Sequence, residues 1–316
     1  MGRQAHHVMA ICVSIVADGE GYTAMADVLA TSLYLLHGQD LHLSIGIPSD
    51  DETGLRLMAR PWADQAAFIT MPASPIVDTR KNAAYRHYFK IHLLEESIRR
   101  YPGMSHLLMD SDLLALRKIP ISYLSCHKLA AMPAHYATWH GDWKKIYDLF
   151  GIAPTYLVIE STGLRPTLPY FNAGFVWMHA NIAAEIQWGR AAQQIADQFS
   201  GNADMHLFPW LDQISLPIAA ATKKLRIHEL PDCFNMLYLK HVAAINGSKG
   251  VADHATLPPF NIHYHGEVAC LRPILKRHNS ALLANEVFLD ALTTLESAES
   301  KGLIRTKNKP VIRHPD

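Results

Sequence analysis

A run of apolar, largely β-branched residues near the start of the chain constrains the fold most, and it extends over residues 8–16. A strand with one face in water alternates polar and apolar residues, whereas a strand buried on both faces is apolar throughout. The run is too short to span a membrane, and it lacks the flanks and cleavage site of a signal peptide. It therefore predicts the first strand of a largely parallel sheet in a cytoplasmic protein.

Strand and helix patterns alternate along the rest of the chain. A turn-forming loop over 17–21 leads into apolar residues at helical spacing and then into an apolar strand over 41–47. This order predicts a parallel strand pair with a right-handed crossover, and its repetition predicts an α/β fold. The pattern predicts further helices over 51–64, 81–100, 180–199 and 285–300, and further strands over 67–71, 105–109, 128–132, 171–179, 223–230 and 260–263.

Composition excludes several classes of protein. Of the 316 residues 49% are apolar and 18% are charged, which suffices for a large core and argues against disorder. Lys plus Arg and Asp plus Glu each number 29, so the basic excess of a nucleic-acid-binding protein is absent from the sequence. The four cysteines form no C-x-x-C pair, which argues against a structural zinc or redox site.

Two carboxylates follow the apolar segment 105–109 directly, with Asp110 and Asp112 flanking Ser111. In a parallel sheet, ligands bind beyond the carboxyl ends of the strands, and Asp18 follows the first strand in the same way. Hard divalent cations take oxygen ligands and can bridge a diphosphate, so the acidic pair indicates a metal site. A solvated acidic turn is the alternative, because D-x-D alone is a weak signal.

Three further segments follow the D-x-D motif, at residues 169–178, 210–216 and 261–266. Together with that motif, their order and spacing resemble those of glycosyltransferase family 8. The resemblance covers about residues 13–266 of the chain. The resemblance implies an α/β GT-A (Rossmann-like) fold with a mostly parallel central sheet. It also implies an enzyme that transfers a hexose from a nucleotide diphosphate sugar, UDP-sugar in this family, with Mn²⁺ and with retention at the anomeric carbon.

The resemblance assigns the metal ligands to Asp110, Asp112 and His263, because Gly266 completes the family's His-x-x-Gly. His265 falls where the family usually has no ligand. A shell of carboxylate oxygens and an imidazole suits Mn²⁺. The alternative for His263 is an ordinary histidine in a late strand.

Sugar contacts are assigned in two places. Asn172 and Ala173 resemble the family's donor-sugar or acceptor contacts, and an Asn amide can both donate to and accept from hydroxyl groups. In the pair Asp212–Gln213, the acid would bind sugar hydroxyls and the amide would support an oxocarbenium-like state near the anomeric carbon. The alternatives are a turn before the strand for the first pair and a helix N-cap for Asp212.

The nucleotide and diphosphate contacts follow from the same resemblance. Ala17, Asp18 and Tyr22 match the loop that holds uracil and ribose, although a helix-face core residue is the alternative for Tyr22. Ser111 belongs to the same donor-binding set. Lys90 stands where the family has an arginine that contacts donor phosphate or sugar. Arg86 could replace it, and exposed helical cations are the alternative for both.

One departure from the family concerns the leaving group. The family has a diphosphate-binding Lys after His-x-x-Gly, and Ala269 stands at that position here. Arg272 is the candidate replacement for the missing charge.

Domain limits and partners complete the expectations. We expect a GT-A catalytic domain over 1–270 and a C-terminal helical extension with a basic tail over 271–316, and no transmembrane segment. The acceptor would be a carbohydrate, glycolipid or protein, and the basic tail leaves a peripheral membrane contact open. The alternative functions are a non-catalytic nucleotide-sugar or glycan-binding protein and a haloacid-dehalogenase-type phosphatase.

Overall fold

The computed structural model describes residues 11–78, 83–134, 140–161, 166–199, 210–237 and 258–304. The predictions for residues 8–10 of the first strand and for the basic tail from residue 305 lie outside this part. Within it, no helix has the length and apolar character needed to cross a membrane.

The strands are β1 Ile11–Val16, β2 Leu41–Pro48, β3 Ala66–Met71, β4 Val77–Asp78, β5 Ala83–Ala84, β6 Ser105–Met109, β7 Leu113–Ala115, β8 Leu129–Pro133, β9 Val158–Ile159, β10 Pro166–Thr167, β11 Phe171–Met178, β12 His228–Glu229, β13 Met236–Leu237 and β14 Asn261–His263. The α-helices are α1 Gly19–His37, α2 Tyr88–Arg100, α3 Ile121–Leu124, α4 His140–Leu149, α5 Ala180–Ala183, α6 Trp188–Phe199, α7 Leu211–Thr222, α8 Leu271–His278, α9 Ser280–Leu283 and α10 Glu286–Ser300. Short 3₁₀ turns are Gly38–Asp40, Glu52–Ala59, Ala63–Gln65, Asp232–Phe234 and Val268–Cys270.

The central sheet has seven strands in the order β12-β8-β11-β6-β1-β2-β3. Strand β11 runs antiparallel to β6 and β8, and the other pairings in this sheet are parallel. The predicted α/β fold with a mostly parallel sheet is therefore confirmed, as is the parallel pair that flanks the first helix. The sheet order places β6, which the acidic pair follows, between β1 and β11 and so in the middle of the sheet.

Helical layers cover both faces of this sheet. On one face, Val13 and Ile15 of β1 share an apolar cluster with Leu29 of α1. On the other face, Ser14 donates a hydrogen bond to Ser97 of α2 at 3.1 Å. Because neighbouring residues of β1 contact different layers, residues 11–15 are buried on both faces of the sheet, as the apolar sequence predicts, and Val16 at the end of the strand is half-buried.

A smaller sheet, β13-β14-β7, extends from the carboxyl end of β6. Strand β14 pairs antiparallel with β7, and His263 lies opposite Leu113. The final helix packs along α1, where Met25 and Val28 share an apolar cluster with Leu292 and Leu295. The C-terminal helices thus cover the helix that follows the first strand.

Several predicted boundaries were wrong. Segment 51–64 forms 3₁₀ turns rather than an α-helix, and the helix predicted from residue 81 begins at Tyr88. The predicted helix 180–199 is divided into α5 and α6. The division has a packing cause, since the backbone N–H of Gly189 donates to Glu95 of α2 at 2.8 Å and fixes where α6 begins. The late strands are also shorter than predicted.

Candidate functional site

The acidic pair and the late histidine meet at the carboxyl end of β6. Asp110 and Asp112 lie in the turn between β6 and β7, and the β14–β7 pairing brings His263 beside them. One possible ligand atom from each residue lies within 4.8 Å of the other two. His263 Nε2 is 2.9 Å from Asp112 Oδ1. Among the residues that the structure describes, these three form the group able to hold a metal ion.

The donor set fits a divalent cation. Two carboxylates and an imidazole provide the mixed oxygen and nitrogen ligands that Mn²⁺ accepts. His263 is buried, and its Nδ1 has no hydrogen-bond partner among the described residues. His265 adopts a left-handed backbone conformation with a φ of 50°, and its ring stacks on that of His263 at 4.0 Å. His265 is not part of the group of three possible ligands among the described residues.

The beginning of β11 closes the site from the side. The backbone N–H of Asp110 donates to the carbonyl of Gly174 at 2.8 Å, and the strand pairing shifts register between Phe171 and Val176. A Cβ added at Gly174 would lie 2.9 Å from Asp110 Oδ2 and 3.0 Å from His263 Cε1. Only glycine leaves room for the ligands here, so the short F-N-A-G motif has a steric reason.

Asn172 has a fixed amide orientation. Its Oδ1 accepts from the Gly174 N–H at 2.7 Å and from Asn235 Nδ2 at 3.1 Å. Because two donors occupy the oxygen, the amide nitrogen is the group that Asn172 can offer to a ligand. Ala173 beside it is fully buried, so its side chain is not accessible to a ligand.

Asp212 lies in a dense polar cluster at the start of α7. Its Oδ1 accepts from the hydroxyl of Tyr85 at 2.9 Å, and its Oδ2 is 2.6 Å from Lys90 Nζ. The same ammonium lies 3.0 Å from Asp110 Oδ1, so Lys90 joins the acidic pair to α7. The N-cap alternative for Asp212 is wrong, because Trp210 is the cap and Asp212 lies inside the first turn. Gln213 follows it and is half-buried.

Burial and charge act against each other in this cluster. Burial alone would raise the pKa of Asp212, but Lys90 and the other partners together hold that pKa below its usual value. Burial alone would lower the pKa of Lys90, but the carboxylates of Asp110 and Asp212 raise it. Both groups are therefore ionised near neutral pH, and the exposed-cation alternative for Lys90 is wrong because its side chain is only 9% exposed.

The loop after β1 lies beside the acids. Asp18 forms an ion pair with Arg86, and Arg86 Nη1 also contacts Asp50 at 3.3 Å. Burial first, and then the charges of Asp112, Asp110 and Asp18, raise the pKa of Tyr22. Tyr22 is 50% exposed, so the core alternative for it is wrong. It is an aromatic ring accessible to a ligand near the acidic pair.

The remaining predicted site residues lie in different settings. Ala17 is buried and donates its N–H to the carbonyl of Gly46 at 2.9 Å. Ser111 is buried between the acids, and Gly266 has a left-handed φ of 81°. Arg272 on α8 forms an ion pair with Glu296 of α10 at 2.5 Å. Its guanidinium therefore has a carboxylate partner within the C-terminal helices.

Sequence reasoning missed Tyr85, Trp188 and Asn235. Tyr85 holds Asp212, Trp188 donates from Nε1 to the Asp212 carbonyl at 3.1 Å, and Asn235 orients Asn172. None lies in a motif that carries chemistry of its own. In the sequence they stand out only as polar or aromatic residues close to predicted apolar segments.

Comparisons with known proteins show the family and the fold of the chain. Residues 13–224 match the Rhodobacterales glycosyltransferase domain. The galactosyltransferase LgtC, solved with donor and acceptor sugar analogs, aligns with a TM-score of 0.52 and 14% identity over 92% of this chain and 99% of that chain. Glycosyltransferase GlyE of Streptococcus pneumoniae TIGR4 aligns with a TM-score of 0.51 and 15% identity over 94% of this chain and 65% of that chain. No curated protein sequence matches the chain. The two structures share the GT-A fold that the four motifs predict.

Proposed function

We propose that this chain, which belongs to the Rhodobacterales glycosyltransferase domain family, moves a hexose from a UDP-sugar to an acceptor hydroxyl with the help of a divalent cation. That the chain is a glycosyltransferase follows from the family. The choice of donor, metal and stereochemistry is the proposal. The observation that carries it is the convergence of Asp110, Asp112 and His263 at the carboxyl end of β6.

The proposed metal site serves the leaving group. Asp110, Asp112 and His263 would hold Mn²⁺, and the ion would supply positive charge to neutralise the departing nucleotide diphosphate. Lys90 places a second positive charge against Asp110. Arg272 stays a candidate for the diphosphate charge that Ala269 does not supply, and for that role it would have to leave or share Glu296.

The sugar would lie between β11 and α7. The amide nitrogen of Asn172 can donate to a sugar oxygen, because two donors within the protein already occupy the amide oxygen. Gln213 would support positive charge at the anomeric carbon through its amide oxygen. An amide is a poor nucleophile, so we favour attack by the acceptor hydroxyl from the face that the diphosphate leaves. That geometry gives retention without a covalent sugar–enzyme intermediate.

The nucleotide would bind along the loop after β1. Tyr22 offers a half-exposed ring for stacking on uracil. Because Tyr22 lies near the acidic pair, one UDP-sugar could stack its base on Tyr22 and place its diphosphate at the metal site. Asp18 would accept from the base or ribose, with Arg86 holding the carboxylate in place. Ala17 and Ser111 would contribute backbone contacts. The acceptor is a carbohydrate, glycolipid or protein in this proposal.

The two alternative functions have less support. A haloacid-dehalogenase-type phosphatase needs a nucleophilic Asp, whereas here both acids converge with a histidine in a ligand group. A non-catalytic binding protein would have no need to keep that group together. Membership of a transferase family favours turnover over both alternatives.

A ligand screen followed by a turnover assay tests the proposal. Ligands that bind the native state raise its melting temperature, so UDP and UDP-sugars should do so more than GDP or ADP counterparts, and more with Mn²⁺ than with EDTA. UDP release from UDP-glucose or UDP-galactose should then depend on Mn²⁺. Equal shifts for all nucleotides, or UDP release unaffected by EDTA, would contradict the proposed donor or the proposed metal.

A further inference from the structure

Every polar atom of Asp212 has a partner. Its Oδ1 accepts from Tyr85, its Oδ2 pairs with Lys90, and its carbonyl accepts from Trp188 Nε1. The backbone N–H of Asp212 donates to the Tyr85 hydroxyl oxygen at 3.2 Å. The residue is 2% exposed. The position of this carboxylate is therefore set by its neighbours rather than by solvent.

Tyr85 contacts Asp212 twice through one oxygen. Its hydroxyl hydrogen goes to the carboxylate, and its lone pairs accept the backbone N–H of the same residue. The ring is 3% exposed, and its backbone N–H donates to the carbonyl of Ile76 at 2.8 Å. Burial, and then the charge of Asp212, raise the pKa of Tyr85, so the hydroxyl stays protonated and remains a donor.

Two donors from one short segment therefore contact both carboxylate oxygens of Asp212. Tyr85 lies just before α2 and Lys90 lies in its first turns, so the two donors have a fixed spacing. The Lys90 ammonium lies 2.6 Å from Asp212 and 3.0 Å from Asp110. A carboxylate free to rotate would not hold the ammonium in that bridging position. Buried ion pairs are effective only when further hydrogen bonds fix their geometry.

We propose that Tyr85 is a positioning residue, which holds Asp212 so that Lys90 stays fixed between α7 and the metal-binding acid Asp110. The inference rests on the proposed function and deepens it, because it assigns the alignment of the donor sugar to a residue that touches neither sugar nor metal. Tyr85 acts on the sugar-transfer step. Asp112 pairs with His263, and Asp18 of the nucleotide-binding loop pairs with Arg86, so these residues have supports that do not pass through Tyr85.

The test compares Tyr85→Phe with Tyr88→Phe. Each variant loses one hydroxyl on the same segment, from a buried ring at Tyr85 and a half-buried ring at Tyr88, but the Tyr88 hydroxyl lies by Glu95 and Gly189 rather than by Asp212. For each variant we would measure kcat and KM for UDP release from the UDP-sugar with Mn²⁺, the affinity for UDP with Mn²⁺, and the melting temperature. A hydrogen bond to a charged group is worth enough to change a rate about tenfold or more.

We expect Tyr85→Phe to lower kcat about tenfold while UDP affinity stays within about twofold, and Tyr88→Phe to change neither. Asp212→Asn should lower kcat as well, and the double variant Tyr85→Phe, Asp212→Asn should lose little more, because residues that act as a unit are not additive.

An unchanged kcat in Tyr85→Phe would overturn the inference, and so would additive losses in the double variant. Tyr85→Phe could instead lower kcat, UDP affinity and melting temperature together, or fail to fold. Either result would mean that the Tyr85 hydroxyl contributes to stability alone. A wild-type protein that releases no UDP from any UDP-sugar would instead refute the proposed function, and this inference with it.

Discussion

Replacing Gly174 by alanine introduces a single methyl group at the point where three site residues converge. The added Cβ would lie 2.8 Å from Asn172 Oδ1, 2.9 Å from Asp110 Oδ2 and 3.0 Å from His263 Cε1. Non-bonded heavy atoms prefer about 3.5 Å or more, so each neighbour would have to retreat by roughly half an ångström. Two of those neighbours belong to the proposed metal ligands, and metal sites tolerate errors of only about 0.2 Å in ligand distance.

The size of the effect follows from the cost of overpacking. One extra methyl group in a closely packed place costs about 1–3 kcal/mol, and about 1.4 kcal/mol is a factor of ten in an equilibrium constant. The backbone of Gly174 is held by the Asp110 N–H, so the strain falls mainly on the side chains. We therefore expect Gly174→Ala to weaken Mn²⁺ binding about fivefold to a hundredfold and also to lower the melting temperature.

Calorimetric or electron-paramagnetic-resonance titration with Mn²⁺ measures this change without any donor sugar. Gly103→Ala is the matched control, because Gly103 precedes β6 and an added Cβ there meets nothing within 4 Å. That control should bind Mn²⁺ like the wild type. If Gly174→Ala also binds Mn²⁺ with wild-type affinity, the steric reasoning is wrong and the ion does not lie between these side chains.

Three further predictions concern the roles of individual residues. Asp110→Asn and Asp112→Asn should each abolish UDP release and leave circular dichroism unchanged, whereas normal turnover in either variant would remove the metal role. His263→Ala should weaken the response to Mn²⁺ more than His265→Ala does. The opposite order in a Mn²⁺ titration would show that His265, and not His263, is the ligand. Arg272→Ala should lower kcat if its guanidinium serves the leaving group, and an unchanged rate would restrict it to its helix-to-helix ion pair.

Local patterns predicted the elements of the sheet well. Strand β6 is buried at each of its residues, and its apolar residues 107–109 identified it together with the acids that follow. The start of α2 was harder to predict, because residues 83–84 pair with β4 and Tyr85 bonds back to Ile76. These are tertiary contacts, which override the helical spacing of the segment.

The site was predictable only as far as its motifs reached. Asp110 and Asp112 were named because two carboxylates after a strand suit a metal, and His263 was named because the resemblance to glycosyltransferase family 8 implies a ligand there. Lys90 was expected to contact the donor, but its two carboxylate partners depend on how α2 and α7 pack on the sheet. Asn235 gave no sign of its role, because a buried amide that orients another amide leaves no periodic pattern.

His263 lies far along the chain from the acidic pair, and this separation has a consequence for folding during synthesis. Two of the three ligands lie at the end of an early strand, and the third belongs to a strand that pairs with β7 only near the end of the described chain. During translation the acidic pair leaves the ribosome long before its histidine partner. Full ligation of a cation can therefore begin only after β14 has paired with β7, so an ion held by all three residues would mark a polypeptide in which the smaller sheet has formed.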